Sequence, residues 1–124
     1  MRIYLSGPMT SMPDHNIPAF DAAEGRLLKQ GHFVINPADI SAQFGTYEEI
    51  ADSFAAHYAG DKAFGGSLAQ CVMDADLAAV RSCDAIYLLR GWENSRGAKK
   101  ELAEAIRCGL EVQQEGGWDE QADT

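Results

Sequence analysis

Short apolar runs alternate along this chain with longer stretches in which apolar residues recur every three or four positions. Ile3-Tyr4-Leu5 is the first run, and it stops at Ser6-Gly7-Pro8, the mark of a strand entering a turn. Met9 to Asn16 is polar and contains proline, so it reads as a loop. Pro18 then opens a helical pattern with Phe20, Ala23 and Leu27 on one face and Gly31 as the stop. Phe33-Val34-Ile35 is a second short strand, closed by Asn36-Pro37. Within residues 40–66, an excursion from the regular pattern, Tyr47 to Tyr58 reads as a helix with Thr46 as N-cap and Glu49 as its capping-box partner. Ser67 to Ser82 is helical, with a break expected near Asp74. Ala85-Ile86-Tyr87-Leu88-Leu89 is a continuous apolar run, as in a strand buried on both faces. After the loop Gly91–Gly97, a last amphipathic helix runs from Ala98 to Cys108, with Ala98, Leu102, Ala105 and Ile106 on its apolar face. Gly109 ends it, and Leu110-Glu111-Val112 begins a final strand. From Gln113 the chain is polar and is expected to be mobile.

Alternating strands and helices predict an α/β fold, a single-domain three-layer sandwich around a small, mostly parallel sheet of flavodoxin-like or Rossmann-like kind. Residues 1–112 form that domain, with 113–124 as an acidic tail. In such sheets ligands bind beyond the carboxyl ends of the strands. Two loops fall there, Ser6 to Asn16 and Arg90 to Gly97, so the chemistry is sought in them.

The length of 124 residues suits one domain, and a 46% hydrophobic content is enough for a packed core. Ten lysines and arginines against 19 acids leave a net charge of −9, which argues against a nucleic-acid polymer as partner. Five of the acids fall in Glu111–Thr124, where there is no base. No apolar run approaches the length that spans a bilayer, and the first residues form a strand pattern instead of a signal peptide. Cys71, Cys83 and Cys108 show no C-x-x-C spacing and are expected to be reduced, buried thiols of a cytoplasmic protein. His15, His32 and His57 are not spaced as ligand pairs, so no metal site is expected. The phosphate-loop signatures G-x-G-x-x-G and G-x-x-x-x-G-K-[ST] are absent, which disfavours NTP hydrolysis.

Several side chains have two readings each. Ser95, Gly97 and the first amides of the last helix can cradle an anion, with Lys99 and Lys100 beside them; alternatively Ser95 is a cap and the lysines are solvated. Glu101 either faces the ligand crevice or sits on the surface, favoured by the helix dipole. Asp74 and Asp76 suit the cap of a short helix, and Asp84 a turn. Glu101 and one of these aspartates, brought together by the fold, can divide acid and nucleophile roles. Trp92 stacks on a base or covers the core edge. Tyr4 is a core residue or a catalytic one.

Ile3-Tyr4-Leu5-Ser6-Gly7-Pro8-Met9, Asn36-Pro37, Asp76-Leu77, Cys83-Asp84-Ala85-Ile86-Tyr87-Leu88-Leu89, Gly91-Trp92 and Ser95-x-Gly97-Ala98-x-x-Glu101 through Gly109 together resemble the DUF4406 group, which is common in phages and prophages. That group is similar to the nucleoside 2-deoxyribosyltransferases and the 2′-deoxynucleoside 5′-monophosphate N-glycosidases. The resemblance runs over residues 2 to 112 apart from 40–66. It implies an N-glycosidase acting on a nucleoside or its 5′-monophosphate, with a deoxyribosyltransferase or a non-catalytic nucleotide-binding protein as the alternatives. Glu101 is the implied nucleophile, Asp76 the residue that helps the base leave, and Tyr4 the one that steadies the nucleophile. Ser95 is the implied phosphate contact. Ser6, Gly7, Pro8 and Met9 line sugar and phosphate, and Gly91, Trp92 and Gly97 complete the binding set. No cofactor is implied, and the assembly is a homodimer or larger homo-oligomer. Glu101→Ala is expected to remove activity with little loss of stability.

Overall fold

A computed structural model describes residues 1–9, 12–60 and 66–116. Four strands, β1 (Arg2–Ser6), β2 (Phe33–Ile35), β3 (Ala85–Leu88) and β4 (Glu111–Gln114), form one all-parallel sheet in the order β2-β1-β3-β4. Among the described residues five α-helices accompany it: α1 (Ile17–Lys29), α2 (Pro37–Ser41), α3 (Tyr47–Tyr58), α4 (Gly66–Arg81) and α5 (Arg96–Arg107).

Side chains alternate across a strand, and here both faces are covered. Ile3, Leu5, Ala85, Tyr87 and Leu89 meet Phe20, Ala23 and Leu27 of α1 on one face. Tyr4, Ile86 and Leu88 meet Val80 of α4 and Ala105 of α5 on the other. Each fully buried aliphatic or aromatic side chain contributes about 1.5–3 kcal/mol, so the two central strands, buried throughout β3 and from Ile3 to Ser6 of β1, dominate the stability. The result is a three-layer α/β/α sandwich.

Most predicted elements form within a residue or two of their expected limits, and α3 carries both halves of its capping box. Four details differ. Gly66–Arg81 is one continuous helix, so Asp74 and Asp76 are interior residues and cap nothing; Asp74 accepts instead from Gln70 Nε2 at 2.8 Å, one turn away. The short helix α2 follows directly after Asn36-Pro37, nucleated by the Asn36 side chain, which accepts from Ala38 N at 3.0 Å. Ile106 is 63% exposed, because the inward stripe of α5 is Ala98, Glu101 and Ala105. The chain is not free from Gln113 onward: β4 continues to Gln114, and Glu115 is held by Arg26 and by the Arg90 amide. The remainder of the acidic tail, 117–124, lies outside the described residues.

Of the cysteines only Cys83 is buried; Cys71, on the outer face of α4, and Cys108, at the end of α5, are exposed. Among the described residues no helix is long and apolar enough to cross a membrane.

Candidate functional site

The chain leaves β1 toward β2 on one side, while β3 lies on the other. The connections therefore diverge beyond the carboxyl ends of β1 and β3, and a crevice opens between them. A cavity of about 290 Å³ occupies that place. Gly7, Pro8 and Met9 line it after β1, and Asn94, Ser95, Arg96, Gly97, Ala98 and Glu101 after β3. Val72 and Asp76 of α4, Pro37 and Ser41 of α2, and Tyr47, Ile50, Ala51, Phe54 and Tyr58 of α3 close the rest. The excursion at 40–60 is thus a wall of the cavity, largely aromatic.

Glycine is required where the first loop leaves the sheet: a Cβ on Gly7 would lie 2.8 Å from Leu89 Cβ. Further on, Asp14, His15 and Asn16 all have positive φ (52°, 53° and 61°), an unusual run for residues other than glycine. Asn16 Nδ2 ties this segment to Pro8 O at 2.9 Å, and the His15 ring, which lines the cavity, meets the Tyr47 ring at 5.5 Å.

Two carboxyls lie in the floor. Tyr4 and Ser6 share one face of β1, two residues apart, and α5 crosses that face with Glu101 turned inward. The Tyr4 hydroxyl donates to Glu101 Oε2 at 2.7 Å and the Ser6 hydroxyl to Oε1 at 2.6 Å. Glu101 is 9% exposed and Asp76 8%. Asp76 Oδ1 is buried with no hydrogen-bond partner among the described residues. Burial is the main force on both groups and raises both above the ordinary carboxylate range. It is opposed at Glu101 by the two hydroxyl bonds, which favour the ionised form. At Asp76 the Glu101 charge adds to it, and Tyr4 opposes it. Each carboxyl therefore resists ionising while the other is charged. Burial and the two neighbouring carboxylates hold the Tyr4 hydroxyl protonated, as a donor. The pair can thus hold one proton between its two carboxyls, an acid and an anion side by side.

The predicted residues divide accordingly. Glu101, Asp76, Tyr4 and Ser6 form one hydrogen-bonded and electrostatic cluster, and Gly7, Pro8, Met9, Ser95 and Gly97 line the same cavity. Ser95 is also the N-cap of α5, accepting from Ala98 N at 3.1 Å, so its lone-pair side is engaged. Gly91 and Trp92 do not belong to this cavity. They line a separate shallow hollow with Arg90 and Glu115, and Trp92 packs against the core beside Ile86 and Leu88, covering its edge. Lys99 and Lys100 do not line the cavity; both are exposed, and Lys100 Nζ approaches Met73 Sδ at 3.5 Å. Lys100 Nζ also lies 5.8 Å from the centroid of the Tyr58 ring, but the arginine or lysine that lines the cavity among the described residues is Arg96, which the sequence reading passed over. Arg96, His15 and the aromatic wall of α3 are the functional candidates it missed. The only available signal for Arg96 was its place between Ser95 and Gly97.

Among the described residues no group of three or more His, Cys, Asp or Glu side chains is placed to hold a metal. Neither a curated protein nor a solved structure matches the chain. One family model does match, over residues 1–59 and 65–114, a range that takes in most of the 40–66 excursion. On that match the chain belongs to the family described as "Domain of unknown function (DUF4406)".

Proposed function

We propose that this chain cleaves the base–sugar bond of a nucleoside 5′-monophosphate or nucleoside, with Glu101 as nucleophile. The observation that carries the reading is the double hydroxyl hold on Glu101, from Tyr4 and Ser6, beside an Asp76 oxygen with no partner among the described residues, in the floor of one cavity. The similarity to nucleoside 2-deoxyribosyltransferases and monophosphate N-glycosidases, carried by Tyr4, Asp76, Ser95 and Glu101, adds support.

Breaking the C1′–N bond develops positive charge on the sugar. An anion fixed beside C1′ stabilises that transition state more than the ground state. In the first step a Glu101 oxygen bonds to C1′ as the C1′–N bond breaks, and the departing base takes the proton of Asp76. In the second step water attacks C1′, its proton returns to Asp76, and the ester bond to Glu101 breaks. Configuration at C1′ is retained. Tyr4 and Ser6 hold the carboxylate in one orientation, and each oxygen keeps a lone pair for the reaction. The aromatic wall of α3 supplies ring faces against which a base can stack. A cytoplasmic setting and a homo-oligomer whose neighbouring subunit completes the site belong to the same reading.

The test is incubation with each common nucleoside, deoxynucleoside and 5′-monophosphate, with chromatography of the released base. Net release supports the hydrolase. Exchange of one base for another without net release points to a transferase. Binding without either reaction, seen as a thermal shift, points to a non-catalytic nucleotide-binding protein and overturns the enzymatic reading.

A further inference from the structure

We infer that Arg96 is a specificity-determining residue that reads a phosphate on the sugar, so that the phosphorylated form is the preferred ligand of this cavity. The inference deepens the glycosidase reading by naming the charged end of its substrate.

Four of the six arginines in this acidic chain sit on carboxylates: Arg26 and Arg90 on Glu115 at 3.1 and 3.7 Å, Arg81 and Arg107 on Glu104 at 2.6 and 2.7 Å. Arg2 bonds Ser82 and lies on Phe33, away from the cavity. Arg96 lines the cavity and pairs with no carboxylate among the described residues. Its guanidinium lies over the Tyr58 ring, 5.0 Å from the centroid. Stacking holds the guanidinium on the ring and leaves its N–H edge free for two parallel bonds to an anion.

Its position agrees. Arg96 is the first residue of α5, where the helix presents its positive end, and Glu101 is five residues further on. Both side chains line the one cavity. The Asp76–Glu101 pair, while it holds one proton, still carries a negative charge in the floor of the same cavity, which repels an anion unless a cation receives it. A neutral sugar needs no such counter-charge. Asp76, whose buried Oδ1 has no partner among the described residues, lines the same cavity, a polar group left for a ligand to meet.

The test is calorimetric binding of 2-deoxyribose 5-phosphate against 2-deoxyribose, and of ribose 5-phosphate against ribose. These probes carry no base and report binding without turnover. The wild-type chain is expected to prefer the phosphorylated sugars. Arg96→Gln is expected to lower their affinity roughly 10- to 100-fold while leaving the neutral sugars unchanged. No preference in the wild type, or an undiminished preference in Arg96→Gln, overturns the inference. If Arg96→Gln fails to fold, Arg96→Lys decides, because an ammonium cannot form the two parallel bonds. A lowered ratio then supports the assignment and an unchanged ratio overturns it. A phosphate preference in a chain that releases no base would sink the catalytic reading and leave this one standing.

Discussion

The hydroxyl of Tyr4 and the carboxylate of Glu101 are 97 residues apart in the chain and 2.7 Å apart in the fold. One comes from the first strand, the other from the last helix, and both are buried. This contact fixes where the carboxylate points. Ser6 repeats it from two residues along the same strand.

Tyr4→Phe keeps the ring in the core and removes only the donor. Glu101 then loses one of the two bonds that favour its ionised form, and burial raises it further. The acid limb of the rate profile is expected to move to higher pH, and kcat to fall by about 10- to 100-fold. Stability should change by only about 1 kcal/mol. A pH–rate profile with the acid limb unmoved would contradict the positioning role.

Asp76 makes stability depend on pH. In the unfolded chain it titrates near the ordinary value of about 4. In the fold, burial and then the Glu101 charge raise it. Below the unfolded value both states are protonated and nothing is lost. As pH rises above about 4 the unfolded chain releases the proton and the folded chain retains it, so stability falls until the folded group also ionises. The loss is at most about 1.4 kcal/mol per pH unit for one proton. Asp76→Asn is expected to remove this slope, so that the variant gains on the wild type between pH 5 and pH 8 in urea titrations. Parallel curves would show that Asp76 is ionised in the fold.

Gly7→Ala places a Cβ where Leu89 Cβ leaves only 2.8 Å, and neither backbone can yield without shifting β1 against β3. A loss of about 1–3 kcal/mol in chemical denaturation is expected. KM is expected to rise as well, since Pro8 and Met9 line the cavity. An unchanged midpoint would contradict the close approach.

Much of this was legible in residue order. The unbroken run Ala85–Leu89 could only be a strand covered on both faces, and Thr46 with Glu49 announced the start of α3. Tyr4, Asp76 and Glu101 were singled out together, but through a resemblance: a carboxylate next to an apolar stripe gives no sign that it is buried. The helical spacing Ala98, Glu101, Ala105 held that sign, a charge in the middle of the stripe, and Ile106 drew attention from it. The burial alters the expectation for Glu101→Ala. Truncation there opens a void and strands the hydroxyls of Tyr4 and Ser6, so Glu101→Gln is the cleaner variant. Arg96 and His15 were not legible, because what distinguishes them is nonlocal: the Tyr58 ring from α3 and the Tyr47 ring from its start. Trp92 sits in a glycine-bounded loop like a ligand contact, yet the turn folds it back on the core.

The central claim is that Glu101 bonds to the sugar. Wild-type chain quenched during turnover of a nucleotide that it cleaves, then digested and examined by mass spectrometry, is predicted to carry the sugar as an ester on the peptide containing Glu101, with no adduct and no base release in Glu101→Gln. Base release that persists in Glu101→Gln, or a sugar ester on any other peptide, would contradict the account.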